Sequence, residues 1–172
     1  MIALYILIGI AMLILIASLI IPTEFRLERD IVINKPKGEV FAYVKSLKNQ
    51  DNWSVWNMKD PNMKREFKGI DGTVGFVSRW EGNKDVGMGE QEIKKIMEGE
   101  RVDMELRFEK PFKMTNDAFI ITIPENDNQT RVRWGFSGNS GRPMNIFSVM
   151  MKGALTRDFD TGLSNLKKIL EK

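Results

Sequence analysis

The chain has 172 residues and a formal net charge of +3, from 26 basic and 23 acidic side chains, and it contains neither cysteine nor histidine. Without cysteine there are no disulfides, thiolate nucleophiles or Cys-ligated zinc; without histidine, Ser-His-Asp and Cys-His catalysis and imidazole-bound metals are excluded. Basic and acidic residues are interleaved, which is not the footprint of a nucleic-acid binder.

Ile2 to Ile21 reads IALYILIGIAMLILIASLII and carries no Asp, Glu, Lys or Arg. As a helix rising ~1.5 Å per residue it reaches about 30 Å, the hydrocarbon thickness of a bilayer. Pro22 stops it, and Glu24, Arg26, Glu28, Arg29 and Asp30 follow at once. A cleaved signal peptide calls for a basic n-region, a shorter apolar core and an A-x-A-like site. Here only Met1 precedes the run, and Ala17-Ser18-Leu19 is a poor cleavage site. A buried core helix would be shorter or show a polar edge. The reading is a retained single-pass membrane anchor over residues 1–23, followed by one domain over residues 24–172. Arg26, Arg29, Lys35 and Lys37 behind the helix place that domain in the cytoplasm by the positive-inside rule.

Phe25, Leu27, Ile31 and Ile33 share one face of a first strand. Asn34 is placed to cap a helix with Pro36 in its first turn, and Val40, Phe41, Val44 and Leu47 recur at helical spacing. Asn49 to Asn52 forms a turn or a second short helix, followed by Trp53-Ser54-Val55-Trp56. Strands are expected from Met63 to Lys68, along Val74-Phe76-Ser78-Trp80, and from Asp85 to Met97. Gly87 and Gly89 imply a bulge or bend in the last of these. Val102, Met104, Leu106 and Phe108 alternate cleanly with Arg101, Asp103, Glu105 and Arg107. A strand from Thr115 to Ile123, a polar loop from Pro124 to Gln129 and a strand carrying Val132, Trp134 and Phe136 complete the run.

Pro143 opens a long helix. Its expected apolar stripe holds Phe147, Met151, Ala154, Leu155, Phe159, Gly162, Leu163, Leu166 and Ile169. Six or seven strands in succession, turning roughly every eight to twelve residues, form an antiparallel meander with one wet face, and the C-terminal helix is the one element long enough to cover the other. The fold class is therefore α+β, with a curved antiparallel sheet around a long C-terminal helix.

The segment Arg29 to Pro36 running into Val40-Phe41-Ala42-Tyr43-Val44 resembles the opening of the START-like (SRPBCC) superfamily, in particular its polyketide cyclase/dehydrase-type branch. Asn52-Trp53-Ser54-Val55-Trp56 is similar to that branch's second-helix tryptophan motif. Trp80-Glu81-Gly82-Asn83 and Gly87-x-Gly89 resemble its central hairpin, and Arg131-Val132-Arg133-Trp134 its last strand. Asp158-Phe159 with Gly162-Leu163-x-Asn165-Leu166-Lys167 is similar to its closing helix. Lys35 and Gly38 depart from the pattern where a small residue and an acid are usual. The resemblance implies a helix-grip fold with a hydrophobic cavity between sheet and helix. It also implies binding of lipids, sterols, polyketides or other apolar molecules, with cyclase activity in some members.

Candidate ligand-binding residues are the large inward-facing apolar side chains: Phe76, Trp80, Met104, Phe108, Trp134, Phe136, Phe147 and Met151, with Trp53 and Trp56 near a mouth. For any one of them plain core is the commoner role. Ser78 and Gln91 are placed to orient a ligand by hydrogen bonds, although a satisfied or solvent-facing polar residue is the plainer reading of each. Asp117 is ambiguous between faces. Glu90-Gln91-Glu92 reads as a solvated edge rather than a catalytic carboxylate pair, and Gly87-Met88-Gly89 lacks the helix and Lys-Ser/Thr of a phosphate loop. Asp71-Gly72 and Asp127-Asn128 lack the ligand spacing of calcium loops.

Three functions fit. The first is a membrane-tethered binding domain for a hydrophobic small molecule or lipid, with the membrane as its other partner and no nucleic acid, metal or cofactor. The second is a cyclase or dehydrase using acid/base groups other than His. The third is a non-catalytic interaction domain whose cavity is closed.

Overall fold

The computed structural model describes residues 2–172. Helix α1 (Ile2–Ile20) is apolar throughout and, by length and composition, sufficient to cross a membrane. All its residues are exposed except Ala17 and Ser18 at its C-terminal end. The domain begins immediately with β1 (Glu24–Ile33) and α2 (Lys37–Val44). Two short helices follow, α3 (Gln50–Trp53) and α4 (Val55–Lys59), then β2 (Lys64–Lys68), β3 (Val77–Glu81), β4 (Met88–Met97) and β5 (Arg101–Lys110). The chain closes with β6 (Met114–Asn126), β7 (Gln129–Asn139) and α5 (Asn145–Leu170). The strands form one seven-stranded antiparallel sheet in the order β1-β7-β6-β5-β4-β3-β2, so that the first strand pairs with the last and the rest is a meander. This is the expected α+β architecture, a helix-grip fold.

The inner face is built in rows set by the register. One row runs Ile93, Met104, Ala118, Phe136 and Leu27 across β4, β5, β6, β7 and β1. A neighbouring row runs Val102, Ile120 and Trp134. The C-terminal half of α5 seals this part of the sheet with Phe159, Leu163 and Leu166, all buried. Phe159 stacks on Trp134 with ring centroids 4.0 Å apart and planes 23° from parallel. Gly162 permits the approach, because a β-carbon there would lie 3.1 Å from Cζ3 of Trp134. Helix α2 contributes Val40, Phe41 and Val44, also buried.

Several local expectations are corrected. Asn34 does not cap α2: the N-cap is Pro36, which has no side-chain acceptor. The Asn34 carboxamide oxygen instead accepts from Nε2 of Gln129 at 2.7 Å. Val74 is 61% exposed and lies outside β3, because the chain turns through Ile70 to Gly75 with positive φ at Gly72 and Gly75. Strand β4 starts at Met88, not Asp85, since the amides of Val86 and Gly87 fold back onto the carbonyl of Asn83. A register shift between Met88 and Gly89 is the expected bulge. The Pro124–Gln129 loop shrinks to Asp127-Asn128, because β6 continues to Asn126 through a register irregularity that accommodates Pro124.

The expected stripe on α5 splits in two. Phe159, Gly162, Leu163 and Leu166 are buried, whereas Phe147 and Met151 are 51% and 53% exposed. Phe147, Met150, Met151 and Ala154 follow one another at i, i+3, i+4 and i+7 on a helix face of their own, all exposed. Ser148 and Leu155, on another face, are half-buried.

Truncating Phe159 to Ala removes the ring that fills the sealed end and is expected to cost ~3–5 kcal/mol. Met150→Ala, on the exposed face, is expected to change stability by less than about 0.5 kcal/mol. Urea unfolding of the full chain in detergent micelles, followed by tryptophan fluorescence, measures both.

Candidate ligand site

The tryptophans expected near a mouth form an aromatic cluster around Trp134. Trp53 meets Trp134 edge-on at 4.8 Å, Trp56 meets it at 5.8 Å, and Trp56 also lies 5.9 Å from Phe159. Trp53 is fully buried, so it is a core residue, while Trp56 remains half-buried at the edge of the cluster. Phe76 and Met104 are likewise core, 1% and 2% exposed. Phe136 extends the aromatic chain toward the start of β1 through Phe25, with ring centroids 5.4 Å apart.

Packing loosens from the sealed end toward the end of the sheet where α1 enters. The next row past Ile93 and Met104 is Ser78, Gln91, Leu106, Asn116, Gly138 and Phe25. Beyond it lie Trp80, Gly89, Phe108 and Met114. Trp80 and Phe108 touch edge-on at 5.6 Å. Leu106, Phe108 and Phe25 are only half-buried although they face inward, and Met114 is 39% exposed.

At this loosened end a cleft of about 260 Å³ opens between β1 and α5. Phe25, Leu27, Val149 and Leu155 line it together with the charged Glu24 and Arg26 of β1, and Ile21 and Pro22, between α1 and β1, complete the lining. Ser148 and Lys152 are its polar contributions from the helix. The volume falls just short of the ~300–1,000 Å³ typical of sites that enclose a whole drug-sized ligand. It suits an acyl segment or a small ring system whose remainder stays outside.

Ser78 and Gln91 do face inward, as a directly opposed pair. Ser78 is buried and accepts a 3.5 Å hydrogen bond from Arg65, and Gln91 donates to Sδ of Met104 at 2.9 Å. Burial pulls the Arg65 guanidinium below the usual arginine range, against the opposing charge of Asp51 at 2.6 Å. Asn116, in the same row, is 2% exposed and its Nδ2 has no hydrogen-bond partner. A carboxamide donor left unsatisfied in an apolar interior is costly, and Asn116, in the row that ends at Phe25, is not itself among the residues that line the cleft. Asn116 escaped sequence reading because its strand is apolar on both faces; its place in the polar row follows from register alone. Phe25, Leu27, Val149 and Leu155 were legible as apolar positions but not as a cleft. Phe147 and Met151 do not join the inward residues.

The charged residues gather on the outer face. Arg107 bonds Glu90 at 2.7 Å and Glu92 at 2.8 Å and also contacts Glu105, while Arg79 pairs with Glu109 at 2.6 Å. Hydrogen bonds from Arg107 and Arg79 hold Glu92 and Glu109 below the ordinary carboxylate value. Glu90 and Glu92 are therefore held in a mid-sheet ion network rather than along a solvated edge. Asp117 is exposed. Among the described residues no group of three or more acidic side chains is placed to hold a metal ion.

The family described as polyketide cyclase / dehydrase and lipid transport matches residues 24–171. Solved structures of the same fold include a protein from Nitrosospira multiformis, 16% identical, covering 84% of this chain and 94% of that one with a TM-score of 0.61. XoxI from Bacillus cereus is 13% identical over 84% of this chain and 94% of its own, with a TM-score of 0.61. CalU16 from Micromonospora echinospora is 13% identical over 86% and 75%, with a TM-score of 0.55. No curated protein matches the chain.

The depressed carboxylates fix the sign of an acid response. Glu92 and Glu109 bind protons less readily in the folded than in the unfolded chain, so their stabilisation is complete above about pH 4.5 and is lost as pH falls below it. Melting temperature followed from about pH 6 to about pH 3 is expected to fall on this limb. Arg107→Gln and Arg79→Gln are expected to flatten it.

Proposed function

This chain belongs to the polyketide cyclase / dehydrase and lipid transport family, and we propose that it is a membrane-tethered binding domain for a hydrophobic small molecule or lipid. The observation that carries this reading is the cleft between β1 and α5, in which Phe25, Leu27, Val149 and Leu155 are bordered by charged side chains and which Ile21 and Pro22, joining the domain to α1, also line. An apolar ligand is concentrated in the bilayer. A cleft within a few residues of the anchor shortens its passage from lipid to protein. Pro22 and Thr23 are nearly the whole linker, so the domain has little freedom to leave the surface.

Of the residues singled out from sequence, Phe136, Trp80, Phe108 and Trp56 are half-buried or at the loosened end and remain candidate contacts. Trp53, Phe76, Met104 and Trp134 support them from the core. Ser78, Gln91 and Asn116 offer the polar row against which a ligand oxygen is oriented. The basic residues Arg26, Arg29, Lys35 and Lys37 favour a cytoplasmic domain. The closed-interior alternative draws support from the sealed Trp53–Trp134–Phe159 end, and the same experiment separates it.

Native mass spectrometry of the full chain released from membranes is expected to detect a co-purifying apolar molecule of lipid size. Leu155→Trp, which fills the cleft, is expected to weaken binding of a fluorescent acyl probe by about tenfold or more, ~1.4 kcal/mol. Repeated absence of any bound molecule, with Leu155→Trp leaving probe binding unchanged, overturns the reading in favour of a closed interaction domain. N-terminal sequencing of the mature protein tests retention of Ile2–Ile21.

A further inference from the structure

The domain does not hang from its anchor by a free strap. The last turn of α1 carries carbonyls without helical partners. Nδ2 of Asn145 donates to the carbonyl of Ser18 at 2.8 Å and to that of Ile21 at 2.8 Å. Nε of Arg142 donates to the carbonyl of Ser18 at 2.9 Å. The Ser140 amide donates to the carbonyl of Thr23 at 2.8 Å. Asn145 is fully buried. The start of α5 is thus clamped to the C-terminal end of α1.

Strand register shows what else lies at that end of the sheet. Glu24, the first residue of β1, is opposite Asn139, the last of β7. Gly138 is opposite Asn116 near the start of β6, and Met114 is opposite Phe108 near the end of β5. The β5–β6 connection, Pro111-Phe112-Lys113, is therefore on the anchor side. Its tip presents Phe112, 56% exposed, between Lys110 and Lys113. The exposed face of α5 presents Phe147, Met150 and Met151 at 51%, 72% and 53% within the first turns after the clamp. The opposite end of the sheet carries the polar turns Asp127-Asn128 and Glu98-Gly99-Glu100 together with the β2–β3 loop, where Ile70 and Val74 are exposed singly among polar neighbours rather than on a helix face, and the anchor side also carries the polar β3–β4 loop around Asn83 to Asp85.

From this placement we propose that the anchor-side end of the domain is a second membrane-contact surface. Phe112 and the α5 face formed by Phe147, Met150 and Met151 enter the headgroup region of the bilayer that α1 spans. The proposal rests on the membrane-anchor reading and adds a fixed orientation to it. The occupant of these apolar surfaces is lipid because Phe147, Met150 and Met151 follow within two turns of the residue that holds the end of α1, and Phe112 lies at the same end of the sheet. Lysines flanking an exposed aromatic also suit an anionic headgroup layer. In this orientation the loosened row of Trp80, Phe108 and Met114 and the cleft at Phe25 face the bilayer, while the sealed end faces water.

The absence of cysteine makes the test direct. Phe112→Cys, Met150→Cys, Asn128→Cys and Leu13→Cys, each alone in the full chain, carry a nitroxide label in vesicles of phosphatidylcholine and phosphatidylglycerol. Accessibility to oxygen and to a water-soluble nickel complex is read by electron paramagnetic resonance. Labels at 112 and 150 are expected to resemble Leu13→Cys, oxygen-accessible and severalfold less accessible to nickel than the label at 128. If 112 and 150 match 128 while 13 is buried in lipid, the second contact is wrong and the anchor stands. If 13 is also open to nickel, the anchor reading fails and the proposal with it.

Discussion

A seven-stranded antiparallel sheet leaves one apolar face that water must not reach, and in this chain the C-terminal half of α5 is what closes it. Contact is made by Phe159 stacked on Trp134, and Gly162 lets the helix backbone come close enough for rings to meet rather than side-chain tips. Ring-on-ring burial of this kind brings large apolar area together with favourable aromatic geometry. The other half of the interior follows from it. Held tightly at its C-terminal end, α5 leaves a cleft against the start of β1, and the inward residues there remain half-covered. The domain is solid at one end and receptive at the other because one helix of 26 residues is asked to cover a face wider than itself.

The receptive end is also the end that carries α1. Asn145 and Arg142 satisfy the last carbonyls of the apolar helix with side chains from α5. Such groups would otherwise be left without partners at the end of an apolar helix, and an unsatisfied carbonyl is costly in apolar surroundings. One helix therefore closes the core, lines the cleft and holds the end of α1. A change in how α5 lies on the sheet would reach all of these at once.

Charge is sorted to the other surface. Arg107 and Arg79 organise Glu90, Glu92, Glu105 and Glu109 on the outer face of the sheet, while the inner face keeps neutral polar groups, Ser78, Gln91 and Asn116, with Arg65 at their margin. Neutral donors and acceptors in an apolar wall orient a ligand without the desolvation cost of a buried ion.

Alternation along Leu27 to Ile33, Val102 to Phe108 and Val132 to Phe136 was enough to determine an antiparallel sheet with one buried face, since side-chain direction in a strand follows residue parity. The apolar run from Ile2 to Ile21 likewise marked out the membrane-length helix, because length and composition are local properties. Alternation failed at Val74, where glycines turn the chain, and the cap expected at Asn34 failed because the N-cap position falls two residues later, at Pro36. Tertiary structure alone decided which half of the α5 stripe is core, because Phe147, Met151 and Phe159 are equally apolar and only the position of Trp134 tells them apart. It alone decided that Asn116 joins Ser78 and Gln91, since strand register is a relation between segments far apart in sequence. And it alone brought Asn145 to Ser18: a hydrogen bond between the two ends of the chain has no periodicity, spacing or composition by which a sequence could announce it.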